Sequence, residues 1–166
     1  MDQKEKQSIF DELLVRSRGR LAAVAGAYAY SDADDLLQEI LLQIWRSLAT
    51  FKGDSSIDTW SYRVAINTAL TWQRSQSRRK KNIPSEVSNL NELPTACDGH
   101  DSANLLDQLD HFLRTLSKSD RALVLLYLDD LSGKEMAEVT GQTEGAIRVR
   151  IHRIKQKLAD CKVGNQ

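Results

Sequence analysis

LSGKEMAEVTGQTEGAIRVRIHRIKQKLADC, residues 131–161, reads as two helices joined at Gly141, the second carrying basic side chains opposite an apolar stripe. Ser132 and Glu135 stand at the spacing of a capping box, and Met136, Ala137 and Val139 supply apolar contacts for the first helix. Gly141 can take the left-handed conformation that closes it, and Thr143 can cap the next helix. In the second helix Ile147, Ile151, Ile154 and Leu158 recur on one buried face. At 100° per residue, Gly145, Val149, His152, Arg153 and Gln156 lie opposite that face. Arg148 and Lys155 take one flank, Arg150 and Lys157 the other. A helix-turn-helix presents such a face to a DNA groove, its N-terminal part reaching base edges while flanking cations meet phosphates. Arg148, Val149, His152 and Arg153 are therefore expected in the groove, and Arg150, Lys155 and Lys157 mostly on backbone charge. The competing reading is a solvated basic face; two capped helices meeting at a glycine turn favour DNA.

A formal net charge of zero, from 23 basic and 23 acidic residues, sits oddly with a nucleic-acid binder until charge is followed along the chain. Lys52, Arg63, Arg74, Arg78, Arg79, Lys80 and Lys81 face only Asp54 and Asp58 over residues 52–81, and the helix after Gly141 is a second basic island. Residues 86–130 are acidic. Segregated charge focuses field at two places without making the whole chain cationic. A hydrophobic content of 41% and a charged content of 28% place the chain among soluble globular proteins. No apolar run reaches the roughly 20 residues of a membrane span, and MDQKEKQSIF lacks a signal-peptide core, so an intracellular protein is expected. Cys97 and Cys161, with His100, His111 and His152, show no metal-ligand spacing and no disulfide framework; neither metal nor cofactor is expected. No paired carboxylates, nucleophile with its base, or phosphate loop stands at usable spacing, which argues against an enzyme.

Helical spacing recurs along most of the chain, and alternating strand patterns do not. The expectation is an all-helical protein of two small domains. A first helix over residues 6–30 has Phe10, Leu13, Leu14, Leu21, Val24 and Ala25 as its core side. Ser31 or Asp32 caps a second helix through about Leu48, with Leu37, Leu41, Ile44 and Leu48 as its buried stripe. Asp35, Glu39, Leu42 and Arg46 then face outward, bordered by Gln38 and Gln43, and Leu42 has no core to enter. After the loop FKGDSS a third helix covers residues 57–79, with Trp60, Arg63, Asn67, Thr71 and Arg74 along one stripe; Trp60 fits either a core position or a surface that holds unstacked bases. NIPSEVSNLNELPTACDGHDS, residues 82–102, is polar, holds both prolines and has no sustained period, so it reads as a flexible linker. Beyond it Leu106, Leu109, Leu113 and Leu116 mark one amphipathic helix, and Ser119 or Asp120 opens another that leads to the helix-turn-helix.

Three blocks in this order resemble the sigma-70 family, within it the small extracytoplasmic-function (ECF) sigma factors built of regions 2 and 4. They are DADDLLQEILLQIWRSLATF at 32–51, GDSSIDTWSYRVAINTAL at 53–70 with the basic run after it, and SDRALVLLYLDDLSGKEMAEVTGQTEGAIRVRIHR at 119–153. The resemblance implies region 2 at residues 1–81, a linker at 82–102 and region 4 at 103–166. It implies a chain that binds core RNA polymerase, directs it to promoters with separate -10 and -35 elements and helps open the DNA, with no catalytic site.

By the same resemblance, Asp35, Gln38, Glu39, Leu42, Gln43 and Arg46 match the polymerase-binding motif, implying docking on the clamp helices of the β′ subunit, with the β flap as the partner of region 4. Phe51, Lys52, Asp54, Ser55 and Ser56 match the loop suited to a flipped base, and Trp60, Arg63, Asn67 and Arg74 match positions near the -10 element. Gly145, Arg148, Val149, Arg150, His152, Arg153, Lys155 and Lys157 match the -35 reader. An anti-sigma factor is implied as a regulatory partner. The chain departs from the pattern at Ser61, where Leu is common, at Thr71, a frequent Asp, and at Val149, usually small and polar, which can instead touch a thymine methyl. A free-standing helix-turn-helix regulator is the alternative, and the stripe on the third helix separates the two.

Overall fold

A computed structural model describes residues 2–81 and 102–163, with side chains described at 2–79, 108–109 and 111–159. The linker expected at 82–102 lies outside the described residues except for Ser102, and so do Cys97, His100 and the side chains of Lys80, Lys81, Leu106 and Cys161. Seven α-helices are described and no strand: α1 (Gln3–Ala29), α2 (Ala33–Ser47), α3 (Ile57–Lys81), α4 (Ser102–Thr115), α5 (Lys118–Leu128), α6 (Gly133–Thr140) and α7 (Glu144–Val163).

The first three helices pack on one another. Leu13, Leu21 and Val24 from α1, Leu36, Ile40 and Ile44 from α2, and Ala65 and Ala69 from α3 are wholly buried, each large side chain contributing about 1.5 to 3 kcal/mol. On α1, Leu13, Leu21, Val24 and Ala25 are buried as the spacing predicts, while Phe10 and Leu14 are half-buried. Phe10 packs edge-on against Trp45 with ring centroids 5.2 Å apart, and the Lys6 ammonium lies 4.4 Å above the same indole. On α2 the buried row is Leu36, Ile40, Ile44 and Leu48, with Leu37 and Leu41 half-buried. That turns the buried arc by roughly 40° from the expected one, because α2 packs against both α1 and α3. A short 3-10 turn (Tyr30–Asp32) separates α1 from α2, and neither Ser31 nor Asp32 caps the second helix with its side chain.

In the C-terminal part the local chemistry follows the sequence closely. Ser132 accepts from the Glu135 amide at 3.3 Å while the Ser132 amide donates to Glu135 at 2.9 Å. Gly141 sits at φ 70°, and the Ala146 amide donates to the Thr143 hydroxyl at 3.3 Å. Nothing would meet a Cβ at Gly141, so Gly141→Ala carries conformational strain alone; we expect a loss of about 1 kcal/mol in urea unfolding, and an unchanged midpoint would refute it. The cap of α5 is Ser117, which accepts from the Asp120 amide at 3.1 Å, rather than Ser119 or Asp120.

The C-terminal helices also pack on the N-terminal ones, α4 and α5 against α1 and α6 against α3. Polar bonds mark the seam. Tyr28 Oη donates to the Lys118 carbonyl at 2.7 Å, and Tyr62 Oη donates to Asp129 at 2.5 Å, where the Arg20 guanidinium also binds at 3.0 Å. Burial pushes the Tyr28 hydroxyl up to about 12; burial and then the Asp129 hydrogen bond raise Tyr62 as well, so both remain donors at neutral pH. Arg121 is 6% exposed and donates to the carbonyls of Leu113 at 2.8 Å and, across the seam, Ala27 at 2.9 Å.

Candidate nucleic-acid interface

The recognition-like helix α7 anchors itself through Ile147 and Ile154, both buried, with Ile151 and Leu158 half-buried. Gly145, Arg148, Val149, His152, Arg153 and Lys157 are exposed on the other side. Val149 is 50% exposed, an apolar side chain held among cations. Arg148, His152 and Arg153 make no hydrogen bond or ion pair among the described residues, so their donors face water. Lys155 is exposed but donates to Tyr127 Oη at 2.7 Å, its ammonium 4.2 Å from that ring. Arg150 departs further from the expected backbone role. Its Nε and Nη2 both donate to Asp120 Oδ1, at 3.0 and 2.7 Å, and its Nη1 donates to Gln142 at 2.9 Å. The helical projection put it on a flank, and the flank faces α5.

Asp120 is pushed up by partial burial, but hydrogen bonds from Ser117 and Arg150 and the charges of Arg150 and Lys157 outweigh that and hold its carboxyl below the ordinary range. A carboxyl lowered by folding contributes stability above its unfolded value and loses it as pH falls through the folded one. The part of the stability that Asp120 supplies should therefore be level from neutral pH to about pH 5 and be lost below it, and Asp120→Asn should make the acid limb shallower. Urea midpoints measured against pH check this; an acid limb equally steep in the variant would contradict it.

On α3 the exposed row is Arg63, Asn67, Thr71, Arg74, Arg78 and Arg79. Arg63 and Arg74 have no partner among the described residues. Trp60 is half-buried with its ring 5.2 Å from that of Phe51, so these two aromatics brace the start of α3 against the preceding loop. Lys52 and Asp54 are exposed in that loop, Ser55 is half-buried, and Gly53 takes φ 79°. Ser56 is the cap of α3, accepting from the Thr59 amide at 3.0 Å. The sequence reading missed that cap, although Ser56 precedes Thr59 by the three residues that signal one. Both departures on α3 fold back on the helix: the buried Ser61 hydroxyl donates to the Asp58 carbonyl at 2.8 Å and Thr71 to that of Asn67 at 2.9 Å.

On α2, Asp35, Gln38, Leu42 and Arg46 are exposed, with Leu42 at 40%. Glu39 and Gln43 are half-buried, because the turned arc brings them toward α3. Gln43 donates to Glu39 at 2.7 Å, and both line an open groove of about 650 Å³ whose other wall includes Asn67, Thr71 and Arg79. Of the α2 residues, Glu39 and Gln43 thus border the α3 row along this groove, while Asp35, Gln38, Leu42 and Arg46 lie outside its lining.

Residues 13–79 match the family model described as Sigma-70 region 2, and residues 106–158 match that of Sigma-70, region 4. The chain is 31% identical to the ECF RNA polymerase sigma-E factor of Escherichia coli K12, over 94% of this chain and 87% of that one. The chain belongs to the sigma-70 family. Within it the ECF group holds its relatives; the sigma-E factor of Haemophilus influenzae is 28% identical over 94% of this chain and 88% of its own. Among solved structures, the fold resembles the sigma factor RpoE bound to the anti-sigma factor NepR from Bartonella quintana, with a TM-score of 0.75 and 21% identity over 95% of this chain and 98% of that one. It also resembles CnrH in complex with the cytosolic domain of CnrY, with a TM-score of 0.69 and 21% identity over 96% and 91% of the two chains. As a sigma factor the chain binds core RNA polymerase and directs initiation at specific promoters, region 2 on the -10 element and region 4 on the -35 element. A stand-alone helix-turn-helix regulator is not favoured, since region 2 is matched as well as region 4. No described helix is long and apolar enough to cross a membrane.

Proposed function

We propose that this ECF sigma factor divides its work among three exposed faces, with region 2 at residues 1–81, a linker at 82–102 and region 4 at 103–166. The β′ clamp helices of the polymerase dock on α2 through Asp35, Gln38, Leu42 and Arg46, with Glu39 and Gln43 at the border toward α3. The β flap is the partner of region 4. The loop residues Phe51, Lys52, Asp54 and Ser55 hold an unstacked base, and Arg63, Asn67 and Arg74 follow the strand on α3. Trp60 and Ser56 shape that site from within, one by packing on Phe51 and the other as a cap. On α7, Arg148, Val149, His152 and Arg153 read the -35 element while Lys155 and Lys157 meet phosphates, and Gly145 lets the backbone approach.

The observation that carries this reading is that α3 and α7 each turn basic side chains without internal partners to solvent, on helices whose other sides are buried. A regulator acting through region 4 alone has no use for the α3 face. The chain acts in the cytoplasm and catalyses no reaction of its own. An anti-sigma factor regulates it; in support, the similar solved sigma factor RpoE is held by the anti-sigma factor NepR, and the similar CnrH by the cytosolic domain of CnrY.

Arg148→Ala tests the assignment. With a bidentate contact to a base edge, its loss lowers discrimination for the upstream element by roughly 1 to 3 kcal/mol. Holoenzyme binding to cognate and altered -35 sequences is the measurement, and an unchanged ratio rules out that role.

A further inference from the structure

Arg150 stands between Val149 and Ile151 in the reading helix, yet every nitrogen of its guanidinium is committed inside the protein. The fork closes on Asp120 Oδ1 through Nε and Nη2 and on Gln142 Oε1 through Nη1, all within 3.0 Å. The other Asp120 oxygen accepts from the Ser117 hydroxyl at 2.7 Å, and Ser117 caps α5. Gln142 lies in the turn between Gly141, the left-handed stop of α6, and Thr143, the cap of α7. One side chain therefore joins the start of α5, the helix-turn-helix turn and the second turn of α7. The pair is largely shielded, with 28% and 22% of the two side chains exposed.

We infer that Arg150 is a positioning residue for -35 recognition: it sets the rotation and tilt of α7 against α5 and the turn, and touches no DNA. This rests on the reading of α7 proposed above. A planar fork fixed at both ends constrains a helix in a way a point charge cannot, so Lys does not substitute for Arg here. Base contacts need their donors aligned, and phosphate contacts tolerate small rotations. Loss of the fork therefore lowers sequence discrimination more than it lowers general affinity for DNA.

The experiment uses holoenzyme made with the full chain, on duplexes selected by the wild-type holoenzyme from a library randomised at the upstream element. Binding to selected and scrambled upstream elements is measured over a range of salt concentrations for Arg150→Lys, Asp120→Asn, Gln142→Ala and Arg148→Ala, well below each variant's unfolding temperature. The expected result is that Arg150→Lys and Asp120→Asn each lose about tenfold in discrimination. Their salt dependence stays that of the wild type, because no phosphate contact is lost. Asp120→Asn is the sharpest arm, since removing an anion strengthens DNA binding on simple electrostatics, and Gln142→Ala gives a milder loss of the same kind should that variant not fold. Discrimination kept by Arg150→Lys and Asp120→Asn overturns the inference. Loss in Arg148→Ala alone leaves the reading of α7 standing and this inference refuted; loss in no variant refutes both.

Discussion

Arg121→Met is expected to lower the free energy of unfolding by about 3 kcal/mol, the largest single loss in stability argued for this chain. Four carbonyls surround the guanidinium: Leu113 and Ala27 at 2.8 and 2.9 Å, and Arg114 and Leu116 at 3.3 and 3.4 Å. Its carbon also lies 5.4 Å from the Tyr28 ring. Methionine keeps most of the volume, so the cost is that of buried acceptors left without donors. Because the Ala27 carbonyl belongs to α1 and the others to the α4–α5 corner, the substitution also loosens the seam between the two parts of the chain. Urea unfolding followed by circular dichroism gives the number, and a loss under about 1 kcal/mol would show that water replaces the guanidinium freely.

The second large effect falls on binding. Leu42→Asp combined with Arg46→Glu is expected to weaken association with core polymerase by more than about a hundredfold, near 3 kcal/mol, by removing an apolar anchor and reversing a charge on the proposed docking face. Both side chains are exposed, and the buried row of α2 runs through Leu36, Ile40 and Ile44, so folding should be untouched. Affinity for core measured alongside the urea midpoint separates the two effects. Preserved affinity with an intact fold would move the polymerase interface away from α2.

The seam bears on how the chain works. The -10 and -35 elements lie about 25 base pairs apart by their names, roughly 85 Å of B-form axis, whereas a compact chain of this length has a radius of gyration near 15 Å. The parts that touch through Tyr62, Asp129 and Arg20 must separate for both elements to be held at once.

Much of the fold was legible because its signals are local. The capping box at Ser132 and Glu135, the stop at Gly141 and the cap at Thr143 each depend on residues within four positions of one another. The exposed row on α7 follows from the Ile147 and Ile154 spacing, and the exposed Leu42 from the apolar arc of α2. What escaped depends on partners far away in sequence. Nothing near Arg121 in sequence signals its burial, which depends on Ala27, 94 residues earlier. Arg150 reads as a phosphate ligand until Asp120, 30 residues earlier, closes on it. Tyr62 carries no hint of Asp129, and Glu39 turns toward α3 only because α2 is packed on two sides. Helical projection assigns a side chain to a direction, and tertiary packing decides whether water or another helix lies that way.

Protection of selected promoter DNA from cleavage by holoenzyme reconstituted with this chain tests the central claim most directly. The account predicts two protected patches separated by about 25 base pairs, dependent on core polymerase, with Arg148→Ala weakening only the upstream patch and Asn67→Ala only the downstream one. A single patch produced by the chain without core polymerase, or protection indifferent to both substitutions, would contradict it.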